Sequence, residues 1–382
     1  MAAWAAPAAR GRFGPEVRTV AAPARSADRG TSGALRLGVI GCGERGEGCC
    51  KAIALTTNSR LAMVMDANAA RCQDLAQRFG APWTVDLAEV LASDGVDAVV
   101  ISTPHHLHAE QAVRAAEAGK HVIVEKPIAT SLEDAVGAVH AARRAGVHLS
   151  VNLSYRYYPH VQKAKSLIEA GVLGDLLGVS FVYQRDRSAD YWAGQTGRPT
   201  TDWRMRRERS GGGVLINMAI HYLDLLRYLP GRDIVEVSCV HANLENPGDV
   251  EDNAALWVRY ENGAVGTVSA CSSARGSDFE EFHLWGRDGC LSLAPPHQFY
   301  SLRVVDGKRP GQWHEFSGAP GVGPRDVEYF QRFAAHILRG DPPEVTAEDG
   351  LAAQAIVEAA YRSAQSGRAM QVERGPWRPV ES

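Results

Sequence analysis

The amino-acid sequence predicts an α/β fold followed by an α+β fold. The N-terminal part is expected to form a doubly wound parallel sheet, and the C-terminal part a large, open, mostly antiparallel sheet. Three observations support this prediction. Short apolar runs alternate with helical patterns between residues 35 and 154, as in sheets built from crossover connections. A glycine-rich turn follows the first apolar run. Beyond residue 154, strand-like stretches follow one another with turns between most of them, which predicts antiparallel pairing.

The N-terminal domain, predicted over residues 35–154, contains five apolar runs and five helical patterns. The predicted strands are 35–40, 61–65, 98–101, 121–124 and 147–151. The predicted helices are 44–57, 67–79, 87–92, 107–118 and 132–145. Parallel strands that are buried on both faces consist of continuous apolar residues, so these short runs suit the centre of a doubly wound sheet.

The C-terminal domain, predicted over residues 155–382, has fewer helices. Helical patterns occupy 159–170, 214–229 and 347–365, and the last of them begins at a Thr346 cap and stops at Gly367. The predicted strands are 176–185, 234–244, 254–260, 264–273, 279–285 and 290–293. The dipeptides at 262–263 (Asn-Gly) and 288–289 (Asp-Gly) predict hairpins between consecutive strands.

Residues 1–34 match neither domain. They are rich in alanine, arginine and proline and show no apolar period, so we expect a disordered extension. A secretory signal needs an apolar core of about 7–15 residues, and Pro7, Arg10 and Arg12 interrupt any such core. Two domains and this extension account for the 382 residues.

Charge and cysteine content exclude several classes of protein. The net charge is −3, from 41 basic and 44 acidic side chains, so no basic field attracts nucleic acid. A charge near zero also fits an uncharged, polyhydroxylated substrate. No apolar stretch reaches the roughly 20 residues of a membrane helix. The 7 cysteines show no CxxC spacing, which predicts free thiols in a reducing cytoplasm.

A glycine-rich turn marks the predicted cofactor site. Its residues match G-x-G-x-x-G between the first predicted strand and helix, and they are Gly41, Cys42, Gly43, Glu44, Arg45 and Gly46. In a dinucleotide-binding, or Rossmann, domain such glycines supply a tight turn, close approach to a pyrophosphate and contact between helix and strand. The helix N-terminus offers free N–H groups to the phosphates. We therefore predict that these six residues contact NAD or NADP.

Asp66 bears on the choice between the two cofactors. It ends the second predicted strand, 20 residues after Gly46. A carboxylate at this position accepts hydrogen bonds from the adenosine ribose and repels a 2′-phosphate, which favours NAD. Arg71 could pair with a phosphate, so NADP stays possible. An aspartate that caps a helix is the structural alternative.

Lys126 is the first candidate for catalysis. It follows an apolar strand of the predicted parallel sheet, and ligands gather at the carboxyl ends of such strands. A lysine there could hydrogen-bond a substrate hydroxyl and stabilise the alkoxide as hydride leaves. A lysine exposed to solvent is the structural alternative.

His221 is the second candidate. It lies on a predicted helix after the triple glycine 211–213 and shares a helix face with Asn217, which precedes it by four residues. An imidazole near neutral pKa could accept the proton of a secondary alcohol. A buried histidine bonded to a backbone carbonyl fits the spacing equally well.

Several separated motifs resemble the glucose–fructose oxidoreductase, inositol dehydrogenase and rhizopine-catabolism (Gfo/Idh/MocA) family. The resemblance covers residues 35–367. Besides the glycine turn, it rests on Ser102-Thr103-Pro104 with His108, Glu125-Lys126-Pro127, Asn152, Tyr155-Arg156, the turn 171–174, Asp202-Trp203-Arg204 and the helix 211–221. Together these motifs identify the family and leave the substrate open.

The resemblance implies NAD(P)-dependent oxidation or reduction at a secondary alcohol or ketone of a sugar, cyclitol or glycoside. Lys126 would bind the reacting hydroxyl and His221 would act as acid/base. Asn217, Tyr155 and Tyr158 would also lie at the substrate. The further cofactor contacts would be Ser102, Thr103, Pro104, His105, His108, Glu125, Lys126, Asn152, Arg156, Trp203 and Arg204. Family members often form homodimers or homotetramers through the open sheet, and we expect the same here.

Two positions depart from the family pattern. Asn217 stands where aspartate is common, and an amide cannot share a proton or strengthen the base electrostatically. His105 stands where asparagine is frequent. The possible substitutes for the missing carboxylate are Tyr155, Tyr157, Tyr158 and Asp224.

Other functions stay open at this point. An NAD-dependent glycosidase of this family would oxidise the sugar, eliminate the aglycone and return the hydride, and the Gly-Glu-Arg-Gly segment 43–46 resembles such enzymes. A dinucleotide-binding regulator would need no turnover. His105, His106 and His108 form a tight cluster, but without a nearby acid or cysteine we predict no metal site. The polar and aromatic segment 183–209 is expected to select the substrate.

Overall fold

Two β-sheets, one parallel and one mixed, organise the chain. The computed structural model describes residues 33–187, 191–192, 202–293, 300–307, 313–318 and 324–375. Residues from Gly33 onward form one compact unit. Apart from Gly33 and Ala34, the predicted extension lies outside the described residues.

The first sheet is parallel and lies in the N-terminal part. Its strands are β1 (Leu35–Ile40), β2 (Ser59–Met65), β3 (Trp83–Thr84), β4 (Ala98–Ile101), β5 (His121–Val124) and β6 (Leu149–Val151). The helices between them are α1 (Glu44–Ala54), α2 (Ala69–Phe79), α3 (Leu87–Ala92), α4 (His108–Glu117) and α5 (Leu132–Ala145). The strand order is β3-β2-β1-β4-β5-β6, so the predicted doubly wound sheet is confirmed. The order reverses between β1 and β4, which opens a crevice at their carboxyl ends.

The second sheet has nine strands. They are β7 (Leu176–Asp186), β8 (Ile234–Ala242), β9 (Asn253–Tyr260), β10 (Val265–Cys271), β11 (Ser273–Gly286), β12 (Gly289–Leu293), β13 (Tyr300–Asp306), β14 (Trp313–Gly318) and β15 (Met370–Gln371). Their order is β14-β13-β12-β11-β7-β10-β9-β8-β15. The pair β7–β10 is parallel and the other pairs are antiparallel. The predicted large, mostly antiparallel sheet and both predicted hairpins are therefore confirmed.

The described residues of the C-terminal part also form five α-helices. They are α6 (Pro159–Glu169), α7 (Arg207–Ser210), α8 (Ile220–Tyr228), α9 (Pro324–Arg339) and α10 (Ala347–Ser366). A π-helical turn at Leu215–Ala219 leads directly into α8. The predicted cap of α10 is present, since Thr346 and Asp349 form a reciprocal capping box. Among the described residues, no helix is long and apolar enough to span a bilayer.

The last two helices return to the N-terminal sheet. α9 packs against α1, β1 and β2, while α10 packs against α5 and β6 as well as β8. The hydroxyl of buried Ser150 in β6 lies 2.6 Å from that of Tyr329 and donates to the carbonyl of Val345. The chain after residue 324 therefore helps to cover the parallel sheet.

A buried ion cluster joins three segments of the C-terminal part. Arg156, in a 3-10 turn at Ser154–Tyr157, donates to Asp224 of α8 at 2.5 and 2.8 Å. The same guanidinium lies 2.8 Å from Asp349 of α10. Removing one partner from such a cluster leaves a buried charge uncompensated. The cluster therefore constrains how α8 and α10 meet this turn.

Two glycine-to-alanine variants test the close contact between α10 and β6. A Cβ atom at Gly350 would lie 2.9 Å from Ile128 Cδ1 and 3.0 Å from Val151 Cβ. Overpacking of about 1–3 kcal/mol then outweighs the helix propensity that alanine gains, so Gly350→Ala should lower the free energy of unfolding in urea. Gly137→Ala in α5 meets no atom within 4 Å and should raise it by about 1 kcal/mol. Stabilisation of both variants would contradict the described contact.

Candidate active site

The glycine turn leaves space at the N-terminus of α1. Gly41 has a φ of 98°, and a Cβ there would lie 2.7 Å from the Ser102 carbonyl oxygen. A Cβ at Gly46 would overlap the carbonyl of Gly41. Gly43, the N-cap of α1, has no atom within 4 Å of an added Cβ. The turn therefore fits a phosphate group at a free helix N-terminus.

Asp66 holds this turn in place. Its Oδ2 accepts a hydrogen bond from the Cys42 N–H at 2.8 Å, and its Oδ1 accepts one from the Asn68 N–H at 2.9 Å. Asn68, rather than Asp66, caps α2 by accepting from the Arg71 N–H. The hydroxyl of Ser102 donates to the carbonyl of Gly41 at 2.9 Å and so supports the turn from β4.

Arg45 links the glycine turn to two carboxylates from distant parts of the chain. Its Nε donates to Glu125 Oε1 at 2.6 Å, and its two terminal nitrogens donate to Asp326 of α9 at 2.9 and 3.2 Å. Glu125 is buried, and the same oxygen accepts from Asn152 Nδ2 at 2.7 Å. Although burial opposes it, Arg45 and Arg325 hold the pKa of Asp326 below its usual range.

Lys126 lies at the end of β5, next to Glu125. Its ammonium group donates to the backbone carbonyl of Asn217, at the π-helical turn before α8. Burial lowers the pKa of Lys126 to about 8, and the positive charges of Arg204, Arg45 and Arg325 act in the same direction. The Lys126–Pro127 peptide bond is cis.

His108 supports the loop that carries Lys126. One ring nitrogen lies 2.7 Å from the carbonyl oxygen of Pro127 and the other lies 2.8 Å from that of Thr103. Burial lowers the pKa of this imidazole. Both nitrogens face backbone oxygens, so His108 connects the loop that carries Lys126 with Thr103.

The side chain of Asn217 faces the triple glycine. Its Nδ2 donates to the carbonyls of Gly212 and Gly213 at 2.8 and 3.1 Å, and the residue is buried. The carboxylate of Glu251 accepts from the N–H groups of Gly213 and Leu215. An aspartate at position 217 could not make these two donor bonds, so asparagine matches this local backbone.

His221 stacks on Tyr155. The ring centroids are 4.0 Å apart and the planes are inclined by 1°. Its Nδ1 is buried and has no hydrogen-bond partner among the described residues. Burial lowers the pKa of His221 well below its usual value, and the charges of Lys126, Arg325 and Arg45 lower it further. The imidazole is therefore neutral at neutral pH.

Tyr155 and Tyr158 also contact Arg325, the second residue of α9. The guanidinium carbon lies 4.5 and 4.7 Å from the two ring centroids, and Nη1 donates to the Tyr158 hydroxyl. Tyr157 faces elsewhere, because its hydroxyl donates to Glu344 at 3.1 Å. Asp224 pairs with Arg156. Of the four possible substitutes for the missing carboxylate, the structure thus places only Tyr155 beside His221.

The aromatic side of the site includes His105, Trp203 and Arg204. His105 follows Pro104, and its ring centroid lies 4.5 Å from that of Trp203. Its Nδ1 lies 2.8 Å from the carbonyl oxygen of Ser210, and burial lowers its pKa well below the usual value. The guanidinium of Arg204 lies 4.4 Å from the Trp203 ring.

Some sequence predictions differ from the observed placement. The guanidinium of Arg156 is engaged by Asp224 and Asp349 in the buried cluster, so we leave it out of the cofactor site. Of the expected substrate-selecting segment 183–209, residues 188–190 and 193–201 lie outside the described residues. Arg325 and Asp326 were not predicted at all. Their helix has apolar residues at helical spacing, which is the signal that could have revealed it.

Two alanine variants test whether the open space at Gly43 receives the cofactor. Gly43→Ala should unfold at the wild-type temperature, because the added methyl meets no protein atom, but should bind NADH at least about tenfold more weakly. Gly46→Ala should be destabilised, since its methyl overlaps the Gly41 carbonyl. Thermal unfolding and NADH fluorescence titration separate the two effects. Unchanged NADH affinity in Gly43→Ala would contradict this assignment.

Comparison with protein families identifies both halves of the chain. The oxidoreductase family with an NAD-binding Rossmann fold (GFO_IDH_MocA) matches residues 35–153. The GFO/IDH/MocA C-terminal domain matches residues 161–292. The predicted NAD-binding domain is therefore confirmed.

Individual relatives agree with this result. The chain is 30% identical over 352 residues to scyllo-inositol 2-dehydrogenase (NAD(+)) of Bacillus subtilis, which covers 89% of this chain and 96% of that enzyme. It is 32% identical over 257 residues to levoglucosan dehydrogenase of Pseudarthrobacter phenanthrenivorans. That match spans 60% of this chain and 63% of the enzyme, which is less than two thirds of its length.

Solved structures show the same relationship. Levoglucosan dehydrogenase in complex with NADH has a TM-score of 0.81 at 27% identity, covering 90% of this chain and 100% of that one. The WlbA dehydrogenase from Bordetella pertussis, in complex with NADH and UDP-GlcNAcA, has a TM-score of 0.77 at 29% identity, covering 90% and 100%. The chain therefore belongs to the GFO/IDH/MocA family of NAD-binding oxidoreductases.

Proposed function

We propose that this protein transfers hydride between NAD and a secondary alcohol or ketone of a sugar, cyclitol or glycoside. The observation that carries the proposal is the proximity of Lys126 to His221. Lys126 donates to the carbonyl of Asn217, one helical turn before His221, and its charge lowers the pKa of His221. The names of relatives that act on levoglucosan and scyllo-inositol support the substrate class.

Lys126 is proposed to bind the reacting hydroxyl. An ammonium group has three donors, and the Asn217 carbonyl occupies one of them. A pKa of about 8 keeps the group mostly charged at neutral pH, yet close to its titration. Such a cation stabilises the oxygen as negative charge develops on it during oxidation.

His221 is proposed to accept the hydroxyl proton. Because its pKa is well below the usual value, the imidazole is available as a base at neutral pH. Stacking on Tyr155 fixes the plane of the ring. Asn217 contributes by orientation, since its backbone carbonyl holds Lys126 and its amide holds the triple glycine.

The cofactor site is proposed to lie along the glycine turn and the crevice beside β4. NAD, when bound, supplies the hydride acceptor. Asp66 is proposed to face the adenosine ribose, which favours NAD over NADP. Ser102, Thr103 and Pro104 form the adjoining wall. His105, Trp203 and Arg204 form the aromatic side toward Lys126.

The protein is also proposed to form a cytoplasmic homodimer or homotetramer through the nine-stranded sheet. Large apolar side chains on its strands are exposed, including Val240 at 69%, Phe279 at 44% and Trp285 at 39%. Exposed apolar side chains grouped on a sheet are typical of interfaces between subunits.

The role of Lys126 can be tested by the pH dependence of NADH formation from a panel of inositols, sugars and glycosides. Lys126→Ala should lower kcat/KM by about 10²–10³-fold or more. In the wild type, kcat/KM should fall above about pH 8, because the ammonium group is present below the pKa of Lys126 and lost above it. Lys126→Arg should lack this fall, since a guanidinium stays protonated.

Lys51→Ala provides the control, because Lys51 is exposed at the far end of α1. It should leave kcat/KM and its pH profile unchanged. Wild-type activity in Lys126→Ala would overturn the mechanism. Glycoside cleavage without net NADH formation would instead indicate an internal redox cycle.

A further inference from the structure

The charges around Lys126 and His221 do not balance. Besides burial, Arg204, Arg45 and Arg325 lie close enough to lower the pKa of Lys126. The carboxylates in this cluster are Glu125 and Asp326, and both accept hydrogen bonds from Arg45. Arg45 therefore pairs with both carboxylates, while Glu125 also raises the pKa of Lys126 and Asp326 that of Arg325, so two carboxylates face four cations. Among the described residues, Lys126, Arg204 and Arg325 have no carboxylate within hydrogen-bond distance.

Arg325 is held beside the reacting groups by aromatic rings. Its guanidinium carbon lies 4.5 Å from the centroid of Tyr155, the ring on which His221 stacks at 4.0 Å. The guanidinium and the proposed base therefore contact the same aromatic ring. Arg325 is also close enough to His221 to lower its pKa.

Arg325 keeps part of its hydrogen-bonding capacity. Its Nε lies 3.7 Å from Asp326 Oδ2, which is too far for a hydrogen bond, and its side chain is 23% exposed. A guanidinium carries five donors in a planar fork. Within the described part of the chain, the hydrogen bond to Tyr158 uses one of them. The remaining donors are available to a ligand.

Arg187 adds to the same positive field. Its guanidinium and that of Arg204 lie 5.2 and 5.4 Å from the ring of Tyr191. Its Nε is buried and has no hydrogen-bond partner among the described residues. Arg187 has a hydrogen bond with Tyr183 and is close enough to Tyr155 for that ring to influence its pKa, so a second guanidinium lies near the ring on which the proposed base stacks.

We propose that the substrate carries an oxyanion group, a carboxylate or a phosphate, near the reacting carbinol, and that Arg325 binds it. The proposal rests on the proposed function and deepens it. A neutral polyol would offer the guanidinium donors only hydroxyl groups, which are weak acceptors. An oxyanion would instead accept two charge-assisted hydrogen bonds from the same guanidinium. The substrate class is therefore an acidic or phosphorylated sugar rather than the uncharged polyol that the net charge suggested.

Matched pairs of compounds test this proposal through initial rates of NADH formation. The pairs are D-glucuronate with D-glucose and D-galacturonate with D-galactose, together with the two hexose 6-phosphates. We expect an anionic member to have a kcat/KM at least about tenfold above its neutral partner. Comparing the uronates with the hexose 6-phosphates shows whether the preferred oxyanion is a carboxylate or a phosphate.

Variants at position 325 assign the preference to one side chain. Arg325→Met should lower kcat/KM for the preferred anion by about 10–100-fold and bring the anion-to-neutral ratio close to one. Arg325→Lys should retain part of the preference for the anion, because lysine keeps the positive charge but lacks the planar set of donors. Arg339→Met, at the other end of α9, removes an exposed pair with Asp341 and should leave the ratio unchanged. Thermal unfolding confirms that each variant is folded.

Four results would overturn the proposal. A preference for the neutral compounds would contradict it, and so would an unchanged anion-to-neutral ratio in Arg325→Met. Neither result would contradict the proposed hydride transfer. An equal loss with every compound, together with weaker NADH binding, would assign Arg325 to the cofactor instead. The absence of NADH formation with every compound would overturn the proposed function itself, and this proposal with it.

Discussion

The ion pairs of Arg45 with Glu125 and Asp326 are the interaction on which the site depends. Arg45 belongs to the glycine turn, Glu125 adjoins Lys126 at the end of β5, and Asp326 lies in the first turn of α9. Both carboxylates are largely buried, so each would be costly without a cation beside it. One guanidinium thus connects the glycine turn, the neighbour of Lys126 and a C-terminal helix.

The same arrangement sets the electrostatics of the site. Burial is the largest cause of the lowered pKa values of Lys126 and His221, and the charges of Arg45 and Arg325 lower both further, while Glu125 partly offsets the effect at Lys126. The result is a neutral imidazole and a lysine close to titration. Two groups with separated pKa values can divide the roles of base and cation. The chain as a whole is nearly neutral, yet positive side chains outnumber negative ones around Lys126. The net charge does not reveal this, because it averages over the whole protein.

The sequence predicts those residues of the site that belong to short, local motifs. The glycine turn, Asp66 and Lys126 follow from short motifs placed at strand ends, and the structure places all of them at the crevice. Asp326 could not be found in this way, because it lies 281 residues from Arg45 and no local pattern pairs them.

Arg156 illustrates the converse. Its motif implied a cofactor contact, but tertiary packing supplies two carboxylates that bind it. For Asn217, helical spacing predicted a face shared with His221, whereas the structure places its amide on the carbonyls of the triple glycine.

A double-mutant cycle on Arg45 and Asp326 tests the central claim most directly. The free energy of unfolding in urea would be measured for Arg45→Met, Asp326→Asn and the double variant. Arg45→Met should cost about 3–5 kcal/mol, because it leaves two buried carboxylates without their cation. The double variant should be more stable than the sum of the single losses predicts, by more than about 1 kcal/mol. Additive losses would contradict the account, since they would show that Arg45 and Asp326 of α9 do not stabilise each other.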